Sequence, residues 1–207
     1  MKRTLLISGL MALMLATPFA RASLTVAQQG ASLSASPLTG KAAEIEAYAK
    51  EIDSYIKSNP KPVRLFADTS SETDKAEQWR EFKSEKERDG AGENLNSRAD
   101  VWTRNGKVVG ANFTFQTPSG DWTQFVMYYF RSDGTLAKIA STLNTFHGGI
   151  TVNREDYYNP KGTFLRGTTH CQDLKTQKTK PCADFQDQPA PLYQKINQLP
   201  FYSLLKK

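Results

Sequence analysis

The stretch WTQFVMYYFRSDGTLAKIASTL, from Trp122 to Leu143, decides the fold. Two runs rich in aromatic and branched residues flank Ser132-Asp133-Gly134, a turn signal. That arrangement predicts a β-hairpin. Successive side chains in a strand point to opposite faces. With the turn at Ser132-Asp133-Gly134, Arg131 faces Thr135, Tyr129 faces Ala137 and Met127 faces Ile139. Val126, Tyr128 and Phe130 then share one face, and Phe125, Met127 and Tyr129 the other. A sheet with one wet face alternates apolar with polar residues. Here both faces are apolar, so each needs a cover.

The same pattern continues outward. Asn105-Gly106, Pro118-Ser119-Gly120, His147-Gly148-Gly149 and Lys161-Gly162 separate further strand-like runs. Gly92, Gly106, Gly120, Gly134, Gly148 and Gly162 fall 14 residues apart. One strand and one tight turn fit each interval, the signature of an up-and-down antiparallel meander. We expect about six strands over residues 99–172. The alternation puts Phe125 near Phe113 and Thr123 near Phe115. One face then gathers Phe113, Phe115, Phe125, Met127, Tyr129, Ile139 and Leu143. The other carries Trp122, Val126, Tyr128, Phe130, Leu136 and Phe146.

A longer period lies over the first. Segments ending at Gly106, Gly134 and Gly162 share an aromatic strand end, a turn glycine and an apolar restart, at 28-residue spacing. The Tyr-Tyr to Gly-Thr-Leu pattern of residues 128–136 resembles MORN-type hairpin repeats at a few positions per unit, with longer spacing. No function follows from that resemblance.

Upstream, Ile45, Tyr48, Ala49, Ile52, Tyr55 and Ile56 recur at steps of three and four, which predicts an amphipathic helix over 41–57. Thr39 is its expected N-cap and Asn59-Pro60 its stop. A weaker stripe of Ala76, Trp79 and Phe82 suggests a second helix near 72–88. Leu192, Tyr193, Ile196, Leu199, Phe201, Tyr202, Leu204 and Leu205 make an apolar C-terminal segment able to dock. The expected fold class is α+β. One or two N-terminal helices pack on a curved meander, and residues 41–207 form a single domain.

The N-terminus reads as an export signal. Met1-Lys2-Arg3 is cationic, Leu5 to Leu15 is apolar, and Ala20-Arg21-Ala22 is a small-x-small site. We expect residues 1–22 to be cleaved and 23–40 to form a mobile leader. The apolar run falls short of the roughly 20 residues needed to span a bilayer. The expected location is the periplasm or exterior of a bacterium. Cys171 and Cys182, an even pair in an exported chain, are expected to join in a disulfide.

The 207-residue chain carries a formal charge of +6. Lys2, Arg3 and Arg21 account for three of those charges, leaving 24 basic against 21 acidic side chains. That balance argues against a nucleic-acid binder, which concentrates positive charge on one face.

Neither a nucleophile elbow nor a phosphate loop nor a metal-helix motif occurs. His147 and His170 lie on strands too far apart in the expected register to share an ion. Glu155 and Asp156 are neighbours in a strand and point apart. No cofactor or metal is expected. Three lysines, Lys175, Lys178 and Lys180, sit on the loop between the cysteines, where clamping reduces the entropy lost on contact. With Trp122, Tyr128 and Phe130 they are the expected binding residues, toward a protein partner or an anionic envelope component. The chain is thus expected to be an exported, non-catalytic binding or accessory protein. The alternatives are a carrier holding an apolar ligand in a curled-sheet cavity, or a hydrolase with an unrecognised polar site.

Overall fold

The computed structural model describes residues 39–61, 64–71, 73–92, 95, 97–182 and 189–206. The expected signal segment lies outside them, as does the leader apart from Thr39 and Gly40. One antiparallel sheet dominates. Its strands are β1 (Arg64–Asp68), β2 (Trp79–Phe82), β3 (Ser97–Arg104), β4 (Lys107–Gln116), β5 (Trp122–Phe130), β6 (Leu136–Thr145), β7 (Ile150–Tyr158) and β8 (Phe164–Asp173). The spatial order is β2-β1-β3-β4-β5-β6-β7-β8. From β3 to β8 it is the expected six-stranded meander, and β1–β2 adds a hairpin at the β3 edge. The sheet is open, with β2 and β8 at its edges. Gly106, Gly120, Gly134, Gly148 and Gly162 all have positive φ, between 71° and 81°. The 14-residue ladder marks hairpin turns that need a left-handed residue, where glycine pays no steric penalty.

Two details of register differ from expectation. Phe113 pairs with Val126 and Phe115 with Gln124, because the β4–β5 connection takes one residue more than assumed. In the next hairpin a bulge shifts the register beside Phe130, so Tyr128 pairs with Ile139 and Gln124 with Leu143. A one-residue slip sends a side chain to the other face. Phe113, Phe115, Ile139 and Leu143 therefore share the face of Val126 and Tyr128. The bulge also lets consecutive residues serve one side. Ala137 packs in the cluster under the N-terminal helix, and Lys138 reaches the same helix.

That helix, α1 (Gly40–Ser58), covers the first face with Ala42, Ile45, Ala49 and Ile52. They pack on Trp102, Val109, Tyr129, Ala137 and Tyr157. Thr39 holds the extended N-cap conformation without a side-chain capping bond. Gly110 lies beneath both a neighbouring strand's side chain and the helix: a Cβ there would stand 2.6 Å from Met127 Cε of β5 and 3.3 Å from Ile56 Cδ1 of α1.

An ionic cluster fastens it. Lys138 Nζ, nearly buried, donates to Glu46 Oε2 of α1 at 2.6 Å and to Glu155 Oε1 at 2.7 Å. The Tyr157 hydroxyl donates to Glu46 at 2.9 Å. Burial opposes ionisation of Glu46, but the bonds from Lys138 and Tyr157 outweigh it and hold the carboxyl below its ordinary range. Burial likewise opposes the Lys138 charge, and the two carboxylates overcome it to raise the ammonium pKa.

The C-terminal segment covers the second face. Phe201 stacks on Phe66 with ring centroids 4.2 Å apart and meets Trp79 and Phe113. The Tyr128 hydroxyl donates to Pro191 O at 2.7 Å. Leu136 N donates to Gln194 O, and Ile196 N to Gly134 O. Proline at 191 and 200 precludes a long helix; a 3-10 turn (Ile196–Gln198) and the short α3 of the C-terminus (Tyr202–Leu205) suffice.

The second N-terminal helix expected over 72–88 is not formed. Trp79 and Phe82 lie three apart, so in strand β2 they serve opposite faces. Trp79 joins the Phe113 core, and Phe82 packs with Leu65, Ala67 and Leu95. Only Glu85–Asp89 is helical there (α2), capped by Ser84, which accepts from Glu87 N at 3.1 Å.

Two outcomes follow for stability. Phe201→Ala removes a fully buried ring and lowers unfolding free energy by about 3–5 kcal/mol, read from urea melts. The depressed Glu46 pKa means its ionised form stabilises the fold. That contribution is complete above the ordinary value of 4.5 and is lost as pH falls through the lower folded value. Urea midpoints should therefore hold near neutrality and drop in acid, and Glu46→Gln should flatten the acid limb while costing about 1–3 kcal/mol at pH 7.

Candidate functional site

An up-and-down meander sends alternate turns to the same end. The 28-residue period therefore gathers the turns around Gly106, Gly134 and Gly162 at one end of the sheet. Helix α1 runs across the strands there without closing over the turns. Between them is a cleft of about 760 Å³. One wall is the α1 face of Lys41, Glu44, Ile45, Tyr48 and Ile52. The floor has Val109 and Ala137. The rim is built by Arg104, Asn105 and Lys107 of the first turn, Arg131 and Ser132 of the second, and Asn159, Pro160 and Leu165 around the third.

The floor is apolar and the rim cationic. Four basic residues and one carboxylate, Glu44, line the cleft. Arg104 is held by Glu51 at 2.5 Å and lies 5.9 Å above the Tyr55 ring. Arg131 differs: its guanidinium donates to the carbonyls of Leu136 and Tyr158. Those neutral acceptors orient it, and the Asp133 carboxylate acts on it as a neighbouring charge without a direct bond. Burial lowers its pKa, the mark of a cation drawn partly out of water. The Tyr48 hydroxyl donates to Phe130 O at 2.5 Å, tying the helix to the last residue of β5, next to Arg131.

The residues singled out from sequence are dispersed. The disulfide forms between Cys171 and Cys182, with Cα atoms 5.3 Å apart. It clips a hairpin extension of β8 in which Asp173 N donates to Lys178 O and Lys180 N to Cys171 O. Lys175 and Lys178 are exposed on it. Lys180 instead donates to Gly148 O at 2.6 Å, fastening the extension to the β6–β7 turn. Trp122 packs against Leu143, Ile150, Val152 and Cys171 below this clip. Tyr128 and Phe130 are wholly buried beneath the C-terminal segment, so contact with a partner would require that segment to leave. His147 stands in the β6–β7 turn, and His170 on β8 opposite Asn153. Among the described residues no three His, Cys, Asp or Glu side chains gather as a metal site, and no helix is long and apolar enough to cross a membrane.

Sequence reasoning had the materials for the cleft without assembling it. Arg104, Arg131 and Asn159 each stand just before a turn glycine of the 28-residue period. A position two or three residues before the glycine in each unit of that period implies a common end of the sheet, and two of the three are cations. No protein-family model, curated protein or solved structure matches the chain.

The lysines of the clip separate by role. Lys180→Met should lower stability by about 1 kcal/mol through the lost bond to Gly148, whereas Lys175→Ser and Lys178→Ser should stay within about 0.5 kcal/mol of the parent. Thermal melts of the three variants check this.

Proposed function

We propose that this chain is an exported, non-catalytic binding protein of the bacterial envelope, and that its cleft holds an anionic amphiphile. The observation behind this is the pairing of an apolar floor with a rim cation, Arg131, whose guanidinium is bonded to main-chain carbonyls and which feels the Asp133 carboxylate only as a neighbouring charge. Ligand sites combine apolar lining with a few placed polar groups. The acyl or aromatic part of the ligand lies along Ile45, Ile52, Val109 and Ala137. Its single anionic head meets Arg131, with Lys107 and Lys41 adding charge from the rim. Guanidinium is suited to the task, because its fork matches carboxylate and phosphate oxygens.

Export is supported by the cationic, apolar and small-x-small order of residues 1–22 and by the disulfide, which persists in oxidising compartments. For the non-catalytic reading, His147 and His170 line different pockets. The lysine extension, at the opposite end of the sheet beside the Gly148 turn, is a second surface for an anionic partner through Lys175 and Lys178.

The test uses the protein purified without residues 1–22 and the anionic fluorophore anilinonaphthalene sulfonate. Fluorescence should rise with a blue shift. Myristate should displace the dye, and the uncharged tetradecanol should do so at least tenfold less well. Arg131→Gln should weaken myristate by about tenfold, the loss of one charge-assisted contact of roughly 1.4 kcal/mol. Absence of dye binding, or equal displacement by the acid and the alcohol, would sink the proposal.

A further inference from the structure

Helix α1 covers only part of the first sheet face. Beyond it the face is open and its chemistry changes. Across β4 to β8, register aligns Thr114, Phe125, Thr142, Asn153 and His170 in one row. Asn112, Met127, Ala140, Glu155 and Thr168 form the next row. Neighbouring strands lie about 4.8 Å apart, so each row presents side chains at that step across the sheet. Between the rows runs a trough of about 380 Å³.

The trough differs from the cleft in charge. Its two charged residues are engaged elsewhere: Glu155 by Lys138 at 2.7 Å, and Arg154 by Asp156 at 2.9 Å. What remains is amide, hydroxyl and imidazole chemistry around one aromatic ring. Phe125 is 43% exposed, although every other wet position of its row is polar. Thr142 donates to Asn153 Oδ1 at 2.9 Å, which fixes the amide and leaves its nitrogen as a donor.

We infer that this trough binds a neutral oligosaccharide chain lying across the strands. A pyranose offers polarised C–H groups on its ring face and hydroxyls along its edges. The negative face of the Phe125 ring suits the first. Side chains able both to give and to accept, Asn112, Thr142, Asn153 and His170, suit the second. A charged ligand would gain little here, since no uncompensated charge lines the trough. A protein strand would seek main-chain groups at a sheet edge, which a sheet face does not offer.

Calorimetry of the intact mature protein with cellohexaose, maltohexaose and chitohexaose tests the inference. At least one should bind saturably, with an affinity unchanged between low salt and 0.5 M NaCl, on the order of one screening regime to the next. Phe125→Ala should weaken it at least tenfold, and Asn153→Ala or His170→Ala severalfold. Lys107→Glu, in the cleft, should leave it unaltered. Circular dichroism melts confirm that each variant is folded, and exposed His170 supplies a variant with little structural cost. The inference is overturned if none of the three chains binds, if affinity falls steeply with salt, or if folded Phe125→Ala binds as the parent does. Self-association lost in Phe125→Ala, without sugar binding, would likewise overturn it in favour of a second copy of the chain.

Discussion

Burial of apolar surface removes it from water at roughly 25 cal/mol per Å², and a strand that is apolar on both sides can realise that gain only between two covers. Strands β4 to β6 are of this kind. Tyr129 and Ala137 face one way, and Phe113, Tyr128 and Leu136 the other. The chain supplies both covers itself, α1 at its start and the Phe201 segment at its end. Neither cover would be an ordered element without the sheet. The C-terminal segment has little regular structure of its own, and its backbone finds partners on Gly134 and Leu136.

The two covers are attached differently. The Phe201 side is aromatic stacking in a closed core. The α1 side adds an ionic clamp, with Lys138 between Glu46 and Glu155. Such a clamp contributes modestly to stability once its desolvation is counted, and more to fixing one arrangement. It holds a short helix over part of a long sheet. Space is left at the turn end, where the cleft forms, and along the far strands, where the Phe125 trough forms.

Much of this was legible. The glycine ladder located the turns, and the spacing of Ile45, Ala49 and Ile52 located α1. The two cysteines announced their bond. What stayed hidden depends on single residues of length. One extra residue in the β4–β5 connection and one bulge beside Phe130 moved Phe113, Phe115, Ile139 and Leu143 across the sheet, and composition does not encode a bulge. Trp79 and Phe82 fit a helix at three-residue spacing and also a strand with two buried sides; the partner strand β1 decides between them. The residues proposed for binding were hardest. Tyr128 and Phe130 look like ligand aromatics until the C-terminal segment is laid on them, while Arg131, the next residue, joins the cleft only where three turns meet.

The central claim is that the sheet's own covers leave binding to the turn end. The most direct measurement is an amide chemical-shift map of the mature protein titrated with myristate. Shifts should concentrate in residues 41–52, 104–109, 131–137 and 159–165, and be slight over 190–205. Shifts centred on Tyr128, Phe130 and Phe201 would mean that the C-terminal cover opens to admit the ligand, and would contradict the account.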